Sequence, residues 1–291
     1  MSHAGFWLFL LVDGLSYSML LYLLAAGFSL IFGMMGLVNL AQGSFYLLAG
    51  YLALSLVGRI GVSMGFWVAL VVIPCLVAGI GLIVERLLLR HTYSLGFLGQ
   101  VLVTFGLAFA ASDVFLMIWG GNTLSLNPPA DLSGATHLAS ISFPNYRLFL
   151  IAVGLIVAMS LWVTFERTKL GDLIRATVDD APMLQSLGYD TRWIYAGTFM
   201  LGIGLAGLAG VVGAPVLSLG PGIDSNVLIN TLIVVVLGGL GSMRGALAGA
   251  LVVGEVTTIT VGVFPQLGSV VLYVIMILVL LLRPQGLVAQ R

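Results

Sequence analysis

Few side chains in this chain are suited to chemistry, and their spacing limits what they can do. The one lysine, Lys169, sits in the stretch RTKLG. A phosphate-binding loop needs Gly before that Lys and Ser or Thr after it; here Thr168 precedes and Leu170 follows, so a nucleotide cradle is absent. The three histidines, His3, His91 and His137, fall outside the apolar stretches, and no pair has zinc-hydrolase spacing. An intramembrane serine hydrolase would also lack a buried histidine as its base. Cys75 is the only cysteine, so it forms no intrachain disulfide and reads as a packed thiol. The sequence therefore offers no catalytic set and no metal site, and passage of a solute is favoured over its conversion.

Four acids lie in or near apolar stretches: Asp13, Glu85, Asp113 and Glu255. Each costs about 2.5 kcal/mol or more if carried into hydrocarbon, so each needs a reason. Asp13 lies near the outer end of its stretch, and Glu85 adjoins Arg86 near an inner end. Glu255 and Asp113 read as buried acids, either structural or ion-coupling. The run Gly36 to Tyr51, GLVNLAQGSFYLLAGY, adds Asn39, Gln42, Ser44 and Tyr46. Uncharged polar groups beside broken helices build pathways in membranes. They also serve as interhelical hydrogen bonds worth roughly 0.6 kcal/mol each. The residues alone leave both readings open.

These groups must be positioned by membrane helices. The chain of 291 residues is 60% hydrophobic and 8% charged, with mean hydropathy +1.17. A soluble domain carries about 25% charged residues, so most of this surface faces lipid or buried helices. The formal net charge is zero, which gives no basic surface for nucleic acid. Apolar segments fall at about 6–32, 36–58, 63–88, 95–119, 147–165, 194–217, 226–241, 245–262 and 267–283. The fold class is all-α, a polytopic membrane bundle of eight or nine segments forming a single domain over 1–291. The short 226–241 segment reads as a re-entrant helix or a full crossing.

Sidedness follows from counting. The N-terminus has no Lys or Arg before its apolar run, which argues against a cleaved signal peptide and for an outside N-terminus. Nine crossings then place nine of the eleven Lys and Arg residues inside, with Arg59 and Arg147 outside and the C-terminus inside. The outer loop 120–146 is rich in Gly, Asn, Pro and Ser and reads as a connector or a lid. The polar island 164–194 holds nine of the chain's 22 Asp, Glu, Lys and Arg residues. It reads as a cytoplasmic docking element, the loop 166–193. Two short helices are predicted there, with Leu170 to Val178 as the first. Asp180 caps the second, Pro182 fits its first turn and Gly188 its end. Ala181, Leu184 and Leu187 share a face that needs a partner or a fold-back onto the membrane. Small residues four apart, Ala206, Gly210, Ala214 and Gly241, Gly245, Gly249, predict close helix packing in lipid.

Three stretches together resemble the permease subunits of branched-chain amino acid ABC importers of the LivH type. They are Ser29 to Tyr51, Gly171 to Asp190 and Val234 to Glu255, in matching order. Many members carry His where this chain has Gln42. The resemblance implies a bacterial inner-membrane, multi-pass subunit with no cofactor of its own. It implies a second related permease, two cytoplasmic ATPases that hold ATP and Mg, and a periplasmic solute-binding protein. It places Asn39, Gln42, Ser44 and Tyr46 near the translocation path. It also makes Arg175, Asp179, Asp180, Leu184, Leu187 and Gly188 the ATPase-coupling surface. A branched-chain or hydrophobic amino acid is the expected solute. The alternative is an ion-coupled transporter or a channel for a neutral solute such as urea or a short amide, working through Glu255 or Asp113.

Overall fold

The computed structural model describes residues 3–138, 141–283 and 286–288. Ten α-helices are described: α1 (His3–Met35), α2 (Gln42–Ile60), α3 (Val62–Leu87), α4 (Gly96–Trp119), α5 (Asn145–Arg167), α6 (Lys169–Ser186), α7 (Thr191–Gly213), α8 (Ile223–Gly238), α9 (Met243–Val263) and α10 (Gly268–Leu282). Nine match the nine apolar segments; α6 lies in the polar island. Helix is dictated by the solvent, since hydrocarbon cannot satisfy a free backbone N–H or C=O. Seven helices are long and apolar enough to cross a membrane: α1 to α5, α7 and α9. The chain is thus a polytopic helical membrane protein. At 1.5 Å per residue α8 spans about 24 Å and α1 about 50 Å, on either side of the roughly 30 Å hydrocarbon core.

Helices α1 and α7 form the centre. Helix α1 packs on α9, α7, α5 and α8, and α7 packs on α3, α2 and α1. One core gathers Tyr46, Phe66, Phe199 and Ile203 among α2, α3 and α7. The other gathers Tyr22, Phe28, Val234 and Ala250 among α1, α8 and α9. Close approach rests on the predicted small residues: Gly210 faces the backbone of Tyr46, Gly238 faces Gly245, and Gly249 faces Val234. By contrast α4 presents Leu98, Leu102, Phe109 and Met117 outward, and α5 presents Ile156 and Met159. These faces are apolar because lipid or another membrane helix is their solvent.

The ends are tied by polar contacts. Between α4 and α5, strands β1 (Ala135–Leu138) and β2 (Ile141–Pro144) form an antiparallel hairpin. Leu124 bridges to Leu219, joining the 120–146 loop to the loop after α7. At one end Arg147 pairs with Asp13 at 2.7 Å; at the other Arg244 pairs with Glu166 at 2.7 Å. Each pair joins ends that the positive-residue count puts on the same side.

The apolar segment 36–58 is not helical from its start. Gly36, at φ 61°, ends α1, and residues 36–41 run as a non-helical connection, with Leu37, Asn39 and Ala41 buried, before α2 begins at Gln42. A non-helical backbone at this depth must be satisfied by protein. Thr104 Oγ1 of α4 donates to the Val38 carbonyl at 3.2 Å, and the Ala41 N–H donates to Asn39 Oδ1 at 3.1 Å.

Candidate functional site

The broken connection sets up the polar centre of the bundle. Asn39 and Gln42 are both 1% exposed. Asn39 Nδ2 donates to Gln42 Oε1 at 3.4 Å, and Gln42 Nε2 donates to the Gly202 carbonyl of α7 at 3.2 Å. These two amides fasten the start of α2 to the middle of α7, so their hydrogen-bonding capacity is largely used inside the protein. Tyr46 is fully buried, with its hydroxyl beside Gly213 and Leu20. Among the described residues that hydroxyl has no hydrogen-bond partner. Of the four polar residues singled out in this run, Ser44 lines a cavity.

That cavity, of about 110 Å³, lies where the first turns of α2 and α8 meet the side of α4 that carries Phe105, Phe109 and Ser112. Ser44 Oγ donates to Asp224 Oδ2 at 3.4 Å, across 180 positions of sequence. Asp224 was not among the acids that sequence reasoning selected. It precedes the apolar segment 226–241 and follows Gly-Pro-Gly, so it reads as a loop acid. The signal available was its place in a helix first turn, after Gly222 at φ 82°. Its burial arises from Gly43, which lets α2 approach the Asp224 backbone. The starts of α2 and α8 thus bring two N-terminal, partly positive ends together, and membrane transporters use such helix ends to meet solutes.

The other acids are placed differently. Asp113 is exposed on the outer face of α4, not buried, because no element among the described residues covers that face of the helix. Glu255 is half-buried against Gly14 of α1, with Oε2 enclosed and unbonded among the described residues. Glu85 is buried near the end of α3 beside Arg86, whose guanidinium lies 4.6 Å from the Trp193 ring centroid.

The polar island folds as α6, one helix broken at Asp180 (φ −155°, ψ 86°). Asp180 Oδ1 accepts the Met183 N–H at 2.9 Å, Pro182 lies in the following turn, and Gly188 at φ 88° closes the helix. The two predicted pieces are therefore present. Arg175 is held within the chain, donating to the Phe165 carbonyl and to Asp172 Oδ1, each at 2.8 Å. Asp179 and Asp180 are exposed. Leu184 is 6% exposed, packed into its own chain, whereas Leu187 is 65% exposed. Met183 and Tyr189 join Leu187 on the uncovered side. A spacing of three cannot reveal that Leu184 turns inward and Met183 outward.

A helical bundle with a broken-helix centre and a polar helix outside it defines a membrane transport subunit. The chain belongs to the family described as the permease component of branched-chain amino acid transport systems, whose model matches residues 10–280. The high-affinity branched-chain amino acid transport system permease protein BraD of Pseudomonas aeruginosa is 27% identical, with 96% of this chain and 95% of that protein covered. LivH of Escherichia coli K12, named as a permease of the same kind of system, is 24% identical, with 92% and 91% covered. LivM of the same strain is 26% identical, with 95% and 69% covered. No solved structure matches the chain. Family membership makes this a transport subunit and not an enzyme, and it favours the importer reading over the ion-coupled alternative.

Proposed function

We propose that this chain is one permease subunit of an ATP-driven importer that moves a branched-chain or similar hydrophobic amino acid inward by alternating access. The carrying observation is α6, an exposed polar helix flanked by membrane helices, which leaves Met183, Leu187 and Tyr189 uncovered. Exposed apolar side chains on a polar element call for a partner. The partner proposed is a cytoplasmic ATPase, since this chain lacks a nucleotide loop. Two such ATPases would hold ATP and Mg, and a periplasmic binding protein would deliver the solute. The similarity to both LivH and LivM supports a second, related permease as the other half of the pathway.

In this reading the N-terminus is outside, the C-terminus inside, and residues 166–193 are the coupling loop in the cytoplasm of a bacterial inner membrane. The whole chain acts as one transmembrane domain. The converging ends of α2 and α8 lie on the path, and ATP-driven motion of α6 reaches them through α5, α7 and α1, on which it packs. The test is co-purification with stoichiometric ATPase subunits, followed by uptake into proteoliposomes. Vanadate-sensitive amino acid uptake is expected. Uptake by the chain alone without ATP would overturn the proposal.

A further inference from the structure

The Asp224 carboxyl is buried with fewer hydrogen-bond partners than it can take. The residue is 6% exposed. An ionised carboxylate offers about four lone-pair sites. Among the described residues its one hydrogen bond comes from Ser44 Oγ at 3.4 Å, long for a bond to a carboxylate. The partly positive N-terminus of α8 offsets only part of a carboxylate's charge. Desolvation of a buried ion costs more than one helix end returns. A buried acid with so little compensation needs a counter-charge, and the space beside it is open: Asp224 lines the cavity of about 110 Å³.

The walls say which cation fits. A hard metal ion takes about six or more oxygen ligands. Here Asp224, Ser44, Ser112 and Ser225 are interleaved with Phe105, Phe109 and Leu228. A primary ammonium brings three donors, and an alkyl group attached to it would lie against the phenyl rings. Aromatic faces add attraction for a cation. A cavity of about 110 Å³ exceeds what one water needs and has room for an ammonium and its neighbouring carbons.

We propose that the cavity between the starts of α2 and α8 and the side of α4 binds the ammonium group of an amino acid, with Asp224 as its counter-charge. This rests on the importer reading and names the solute group that the pathway recognises. The rest of the solute would extend toward the exposed side of α4, where a second permease would complete the enclosure.

The test uses the complete complex with its cognate partners, in which Cys75 is replaced by Ser and Ser112 by Cys. The reaction rates of 2-aminoethyl methanethiosulfonate and neutral methyl methanethiosulfonate are compared, each normalised to a small free thiol. The expected result is a preference for the cationic reagent of about tenfold, the factor that 1.4 kcal/mol gives. Asp224→Asn should abolish it, and leucine supplied on the binding protein should slow it. Equal rates in a complex that elutes like the parent would overturn the proposal. Independently, Asp224→Asn should cut leucine uptake by about tenfold or more, and Asp224→Glu should retain more of it. Unchanged uptake in Asp224→Asn would also overturn it. A parent complex that moves no branched-chain amino acid would defeat the importer reading and this site together. A transporting complex without cation preference would defeat the site alone.

Discussion

Gln42 at the head of α2 is bonded to Gly202 in the middle of α7, Nε2 to carbonyl at 3.2 Å, and Gly27 of α1 lies against both. Three helices therefore meet at one side chain and two glycines. A Cβ added to Gly202 would stand 2.7 Å from the Gly27 carbonyl oxygen. Gly202→Ala should lower stability by about 1–3 kcal/mol, the usual cost of overpacking. Gln42→Ala should cost less, about 0.5–1.5 kcal/mol for one hydrogen bond. Thermal unfolding of the purified protein in detergent measures both. A Gly202→Ala midpoint at or above the parent's would refute the close approach.

The unbonded hydroxyl of Tyr46 makes a second prediction. Tyr46→Phe removes a buried polar atom that has no partner, so stability should be unchanged or raised by about 1 kcal/mol. Gly213→Ala would bring a Cβ within 2.6 Å of that hydroxyl. Its cost should shrink when Tyr46→Phe is present, because contacting sites are not additive. A double-mutant cycle by thermal unfolding reads the coupling; strict additivity would contradict the placement.

On α6, substitutions should separate by burial. Leu184→Asp puts a charge against the chain's own packing and should destabilise the helix itself. Leu187→Asp and Met183→Asp alter exposed positions and should leave the permease folded while weakening ATPase binding. Asp180→Ala removes the cap at the break and should cost about 1 kcal/mol. Pull-down of the ATPase, paired with limited proteolysis at α6, distinguishes the cases. Normal retention of ATPase by a Met183→Asp, Leu187→Asp double variant would remove this surface from the interface.

The Arg244–Glu166 pair is exposed on both sides, with side chains 68% and 42% accessible. Exposed pairs contribute about 0–1 kcal/mol and are screened by salt. Glu166→Gln should therefore change the unfolding midpoint little, and less still in high salt. A large loss would mean that this contact holds α9 to α5 more firmly than its exposure allows.

The nine apolar segments and the break at Asp180 were legible because each leaves a local mark: a long hydropathy run, or a cap followed by proline and glycine. What was not legible arises between distant segments. Asp224 became part of the polar centre only because Gly43 admits α2 to its backbone. Asp113 looked buried from its position along α4, yet position along a helix does not tell which way a side chain faces. Leu184 and Met183 show the same limit on α6, since a periodic pattern names a face but not its neighbour. Residues 36–41 are apolar enough to extend a span; Gly36 marks where a break is allowed, and its conformation with the turn at Asn39 makes one.

In the proposed importer α6 lies in the cytoplasm as a handle for an ATPase. The most direct measurement places one cysteine there, Leu187→Cys in a chain with Cys75→Ser, and applies a membrane-impermeant maleimide. Intact cells should show no labelling, while inverted membrane vesicles stripped of peripheral subunits should label readily. Labelling from the outside of intact cells would contradict the account.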